Sequence, residues 1–193
     1  MIHSWNKYQF IIWDIPIKSV QNYADFNKQL QDELDKNNIS NAPRAIESNG
    51  NTYSVWNIDT IPGFTNLLSS TNLESQLEKL NASNFTKIKR AWVNRMHKNS
   101  FVSIHWHDSN VKVLIIYYNV PDDSSDLILI DPKYKILRYE NSISVPEDCK
   151  YNLKVKEGMC VLHNGDMLHA VSEHLSEYPR DTIIIELEPA NKE

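Results

Sequence analysis

From Thr86 to Glu188 the chain is a succession of short apolar segments, each ended by turn-forming residues. The segments read KIKRAWVNRMH, FVSIHWH, VKVLIIYYNV, DLILIDP, a short piece near Lys135–Tyr139, NLKVKEG, MCVLH and RDTIIIELE. Between them stand Asn99-Ser100, Pro121-Asp122-Asp123, Asp131-Pro132, Gly158 and Asn164-Gly165, all residue types that bend the backbone at low cost. Strands this short cannot bury a face alone, so they must stack. About eight of them at regular spacing predict a β-sandwich or jelly-roll barrel.

The first 85 or so residues have a different texture. YQFIIWDIPI (Tyr8–Ile17) reads as a strand, with Pro16 marking an edge or the strand's end. A helix is predicted from Ser19, because Val20, Tyr23, Phe26, Leu30 and Leu34 recur at steps of three or four until NNISN stops it. NTYSVWNI (Asn51–Ile58) reads as a second strand, closed by Pro62-Gly63. Thr71 and Glu74 form a capping-box pattern ahead of a short helix carrying Leu73, Leu77 and Leu80 on one side. No linker divides the two textures, and 193 residues suit one domain better than two. The expected fold class is α+β and mostly β. Residues 1–87 form a strand-and-helix support region, and 88–189 form the jelly-roll core.

A net charge of −5 argues against a non-specific grip on nucleic acid, which needs a basic face. Lys87, Lys89, Arg90 and Arg95 make a modest basic patch, read here as solvated charges beside a strand. No apolar run approaches the roughly 18–20 residues that span a bilayer. The opening MIHSWNKYQF lacks the basic start and apolar core of a signal peptide. Cys149 and Cys160 are the two cysteines, and Cys160, in GMCVL, reads as a small buried hydrophobe. These features together predict a reduced, cytoplasmic protein with no membrane partner.

The chemistry concentrates in FVSIHWHDSN (Phe101–Asn110). On a strand, His105 and His107 point to one face with Ser103, while Ile104 and Trp106 pack on the other. Such a pair is either two hydrogen-bonded surface imidazoles or two metal ligands. His169, in VLHNGDMLHAV, supplies a third. Three imidazoles hold a transition metal and leave coordination positions open. Eleven residues on, RDTIIIELE places Arg180, Thr182 and Ile184 on one face and Asp181, Ile183 and Ile185 on the other. A guanidinium fork with a hydroxyl beside it suits a carboxylate.

In this order, His105, His107, His169, Arg180 and Thr182 resemble the motif of the Fe(II)- and 2-oxoglutarate-dependent dioxygenases. That motif runs His-x-Asp/Glu, a distal His, then an Arg about ten residues later with Ser or Thr two past it. The flanking text is similar too. LIIYYNVP resembles the strand that carries a cosubstrate-binding tyrosine, here Tyr117. VKEGMCVLHNGDMLHAV resembles the strand-turn-strand that delivers the distal histidine. The match covers about residues 88–188, and AWVNRM…HWHDSN…YYNVP is most like a small, partly phage-borne branch with His-x-His at the first position. A phage origin would place the protein in the host cytoplasm.

The resemblance implies a double-stranded β-helix, cupin-like core that uses Fe(II), 2-oxoglutarate and O2. It implies that Arg180, Thr182 and Tyr117 hold the cosubstrate, and that Trp92 and Asn94 line the substrate side. The implied reaction is hydroxylation of an unactivated C–H bond. A prolyl-hydroxylase-like amino-acid side chain in a protein or peptide is one substrate, and a small metabolite is the other. The acidic loop PDDSSD (Pro121–Asp126) could greet a basic peptide or be an ordinary solvated turn.

One position departs from the family's pattern. Where the family has a carboxylate ligand, this chain has His107. Either three imidazoles hold the metal, or a local bulge brings in Asp108 while His107 turns aside. Strand geometry favours His107, leaving Asp108 to orient an imidazole from behind. Two other classes compete: a cupin-like three-histidine metalloenzyme that does not use 2-oxoglutarate, and a non-catalytic jelly-roll binding protein.

Overall fold

A computed structural model describes residues 2–5, 8–37, 52–131 and 149–190. Its centre is β11 (Arg180–Glu188), in which every residue but Glu188 is buried. β11 pairs antiparallel with β4 (Lys87–Met96) on one side and β6 (Lys112–Asn119) on the other. β6 continues to β9 (Met159–Asn164), then to β2 (Tyr8–Asp14) and β1 (Ile2–Trp5), and β4 continues to β3 (Thr52–Trp56). The resulting seven-stranded sheet has the order β1-β2-β9-β6-β11-β4-β3. Facing it is a four-stranded sheet of β5 (Val102–His105), β10 (Leu168–Val171), β7 (Leu127–Ile130) and β8 (Lys150–Leu153), in that order. This is the expected two-sheet jelly roll, with strands from the N-terminal region completing its larger sheet.

The period of two along each strand sorts the larger sheet's side chains into two cores. Ile183, Ile185, Leu114 and Ile116 pack away from the smaller sheet. They meet Phe26, Leu30 and Leu34 of α1 (Tyr23–Lys36), with α2 (Phe64–Ser70) and α3 (Leu73–Lys79) adding Leu67 and Leu77. Ile184, Ile115, Val113 and Trp92 pack the other way, against Leu127 and Leu129 of β7. Because the central strands are covered on both faces, their sequences read as unbroken apolar runs.

Local details differ from the sequence reading for identifiable reasons. The helix predicted from Ser19 starts at Tyr23, because Asn22 is left-handed (φ 61°) and separates α1 from a 3-10 turn at Ile17–Ser19. The capping box at Thr71 does not form. The Thr71 hydroxyl donates to the Leu68 carbonyl at 2.6 Å and closes α2, and left-handed Asn72 leads into α3. The strand at Ile2–Trp5 and the helix at Phe64–Ser70 were not predicted at all. The piece near Lys135–Tyr139 lies outside the described residues. Cys149 and Cys160 are both buried and not bridged to each other, and burial pushes the Cys160 thiol up to about 12. No helix of the described residues is long and apolar enough to cross a membrane.

One buried ion pair ties the helical layer to the sheet. Arg95 on β4 donates through Nε and Nη2 to Asp181 on β11, at 2.7 and 2.8 Å, and also to Gln31 of α1. Asp181 is completely buried. Arg95→Ala should therefore destabilise the fold by about 3–5 kcal/mol, since it strands a buried carboxylate; urea unfolding followed by circular dichroism measures this.

Candidate metal and cosubstrate site

The pairing of β10 with β5 sets His169 directly opposite His105, and their rings lie 4.1 Å apart between centroids. His107 arrives differently. β5 ends at His105, so the pleat does not aim His107, contrary to the reading of both residues on one strand. Instead the His107 N–H donates to the Gly165 carbonyl at 2.7 Å. Its ring comes to rest 5.5 Å from that of His105 and 5.2 Å from that of His169. One nitrogen from each of the three imidazoles lies within 4.8 Å of the others.

The hydrogen bonds behind the rings fix which nitrogen faces inward. His105 Nδ1 donates to the Ser103 carbonyl at 2.9 Å, and His169 Nδ1 to the Met167 carbonyl at 3.0 Å. His107 Nδ1 lies 2.6 Å from a carboxylate oxygen of Glu186. All three partners accept, so each Nδ1 carries a proton, which leaves Nε2 as the ring atom able to offer a lone pair to a metal. Burial, followed by the neighbouring His105, His163 and His107, drives the His169 pKa well below its ordinary value. His163 stacks edge-on 4.9 Å from His169, and burial lowers it to about 3. A buried His169 that resists protons in this way is suited to a metal cation.

Asp108 does not turn toward the cluster. It is exposed, bonds Lys89 Nζ at 3.2 Å and accepts the Asn110 N–H at 3.0 Å. Those two contacts, the Asn110 N–H foremost, lower its pKa. Nor does Asp108 support an imidazole from behind; Glu186, which the sequence reading missed, does so. Trp106, expected in the core, is 48% exposed. Glu186 sits fully buried on β11 and also accepts Arg90 Nε and Nη2, each at 2.6 Å. Burial alone would raise its pKa, but the hydrogen bonds from His107 and Arg90 outweigh that and bring it to about 2. The missed signal is a charged residue on the Arg180–Thr182–Ile184 face of an otherwise apolar run.

The same strand carries the second half of the site. Arg180 is 2% exposed and forms no ion pair among the described residues. Its Nη1 donates to the Ser125 carbonyl at 2.9 Å, its Nη2 touches Met96 Sδ, and its guanidinium lies 5.5 Å from the Tyr117 ring centre. Arg180 Nε, Thr182 Oγ1 and Ser125 Oγ are buried without a hydrogen-bond partner. Thr182 pairs in register with Tyr117 on β6 and Asn94 on β4. Burial raises the Tyr117 phenol above its ordinary range, so it stays a neutral donor. A buried cation and two hydroxyls lacking partners fit an anionic carboxylate well. Ser125 lies in a loop, where strand periodicity gave no hint of its direction. Next to this row, Trp92 stacks on Trp56 at 4.9 Å and lies 5.9 Å from the His107 ring.

A family model described as 2OG-Fe(II) oxygenase matches residues 90–186, half of the chain, and the chain belongs to that family. It is a 2-oxoglutarate-dependent oxygenase of the non-heme iron class, and its cofactors are Fe(II) and 2-oxoglutarate. No curated protein matches it in sequence. Among solved structures it is similar to a prolyl-4-hydroxylase from Pseudomonas putida, with a TM-score of 0.62 at 12% identity, covering 94% of this chain and 93% of the other. It is also similar to HygX from Streptomyces hygroscopicus, solved with nickel and 2-oxoglutarate bound, with a TM-score of 0.64 at 12% identity, over 94% and 83% of the two chains. A viral collagen prolyl hydroxylase from Paramecium Bursaria Chlorella virus-1 superposes with a TM-score of 0.58 at 13% identity, over 94% and 96%. At these identities the likeness is one of fold.

Gly165 is the hinge on which His107 depends. A Cβ there would lie 2.0 Å from the Asp108 carbonyl oxygen and 2.7 Å from Val111 Cγ2. Gly165→Ala should push the His107 segment off the β9–β10 turn. The expected result is about 1–3 kcal/mol of lost stability and roughly tenfold weaker Mn(II) binding, read by thermal melting and isothermal titration.

Proposed function

We propose that His105, His107 and His169 hold the iron, and that Arg180, Thr182 and Tyr117 anchor the far carboxylate of 2-oxoglutarate, with Ser125 beside them. The observation that carries this reading is the presence of two features between the facing sheets of the sandwich. Three imidazoles sit within 4.8 Å of one another, and Arg180 and Thr182 are buried with donors that nothing else uses. Bound iron and 2-oxoglutarate would supply oxidising power from O2 sufficient to hydroxylate an unactivated C–H bond, releasing succinate and CO2. The chain's own work is positioning. Gly165 and Glu186 aim His107, the Arg180 guanidinium fixes the direction of the cosubstrate, and the apolar core between the sheets limits water near the reaction.

The substrate proposed is an amino-acid side chain in a peptide or protein, in the manner of a prolyl hydroxylase. Trp92 and half-exposed Trp56 give a flat apolar wall near His107, on which a ring or extended side chain could lie. Asn94, which accepts the Ser54 hydroxyl at 2.6 Å, offers its amide N–H groups to a backbone carbonyl. A three-histidine metalloenzyme without 2-oxoglutarate would leave Arg180 buried with no anion to bind.

Anaerobic addition of Fe(II) and then 2-oxoglutarate should produce a weak visible charge-transfer band, and succinate should form in air. Arg180→Gln should weaken 2-oxoglutarate binding by about 10- to 100-fold, as expected for loss of a charged hydrogen-bonding group, while Mn(II) binding without cosubstrate stays unchanged. Normal cosubstrate affinity in that variant would refute the assignment of Arg180. Proline-containing peptides screened by mass spectrometry for the gain of one oxygen test the substrate class.

A further inference from the structure

We propose that Glu186 acts as the carboxylate of this metal centre at one remove, holding His107 by its Nδ1–H and strengthening its Nε2 as a ligand in place of the carboxylate absent from position 107. The proposal rests on the reading of His107 as a ligand. Three observations carry it. First, the three imidazoles are supported unequally. At Nδ1, among the described residues, His105 and His169 lean on main-chain carbonyls and His107 on a carboxylate, through the shortest of the three bonds at 2.6 Å. An anionic acceptor behind an imidazole makes the opposite nitrogen a better electron donor than a carbonyl does.

Second, Glu186 is fully buried, and an ionised carboxylate is expensive to bury unless its oxygens are all answered. Arg90 answers it with two parallel hydrogen bonds, yet Oε1 also takes His107. The Arg90 side chain is 44% exposed, so water screens its charge, whereas Glu186 and His107 meet in the dry interior. The negative charge is thus felt more strongly on the His107 side.

Third, His107 stands beyond the end of β5 and has no ladder to orient its side chain. Its backbone is pinned to Gly165, and the Glu186 hydrogen bond fixes the ring. Glu186 comes from the strand that also bears Arg180 and Thr182, so one strand positions both the iron's third imidazole and the cosubstrate's anchor. Glu186 is a positioning residue and is not itself a ligand.

The test is a double-mutant cycle read as Fe(II) affinity, by anaerobic isothermal titration on the full chain without 2-oxoglutarate. Glu186→Gln should weaken Fe(II) binding by about 10- to 100-fold. His107→Asp puts a carboxylate on the metal directly and should still bind. In that background Glu186→Gln should cost nothing or raise affinity, because two facing carboxylates become one. Glu186→Gln combined with Arg90→Gln leaves no unmatched guanidinium, so the cycle can still be read if the single variant folds poorly; it should show the same loss as Glu186→Gln alone. Wild-type affinity in Glu186→Gln, or an equal loss in both backgrounds, would make Glu186 merely the partner of Arg90 and overturn the proposal. A wild-type protein that takes up no Fe(II) would overturn the metal reading itself, and with it this role for Glu186.

Discussion

Four polar side chains are buried on one central strand, and the cost of taking them out of water organises much of the structure around it. Arg180, Asp181, Thr182 and Glu186 all belong to β11, which is paired on both edges and covered on both faces. A charge in such a place must be met by a partner or it unfolds the protein. Asp181, pointing toward the helices, is met by Arg95 and Gln31. Glu186, pointing between the sheets, is met by Arg90 and His107. Arg180 and Thr182 point the same way as Glu186 and are met only in part. Both acids are satisfied within the fold, whereas Arg180 Nε and the Thr182 hydroxyl keep no hydrogen-bond partner, which fits the proposed anion site. That asymmetry separates structure from function on a single strand.

The jelly roll was legible because strand periodicity and turn residues are local signals. Arg180 and Thr182 were placed on one face of β11 by the period of two alone, and the two cores bear this out: Ile184 packs between the sheets, while Ile183 and Ile185 face the helices. The meeting of His105 with His169 was a harder inference, since it depends on the register between strands more than sixty residues apart in the chain. The sequence reading had the right neighbour for His107 and the wrong reason. It relied on a pleat that stops two residues short of His107, when a glycine contact and a distant carboxylate hold the residue. Glu186 escaped notice because its role appears only once β11 and the His107 segment are brought together across the sandwich. At the helices the errors were of another kind. Thr71 could cap either of two adjoining helices, and the pattern did not say which would win.

The exchange of a carboxylate for His107 bears on how the site handles charge. A carboxylate ligand would cancel one unit of the iron's charge by direct contact. Three neutral imidazoles cancel none, so the pocket would present a stronger field to an incoming anion. Arg180 adds to that field from deeper in the sandwich, where burial without a carboxylate lowers its own pKa. Glu186 works against it from behind His107, in a low-dielectric interior where its reach exceeds what it would have in water. With His107 as the third ligand, as proposed, the pocket would combine a buried guanidinium, a metal site without its usual anion and a carboxylate set one ring back. An arrangement of this kind favours a dianionic cosubstrate such as 2-oxoglutarate over a neutral ligand. On the proposed reading, selectivity for the cosubstrate would come from charge, leaving the stacked indoles of Trp56 and Trp92 to select the substrate by shape.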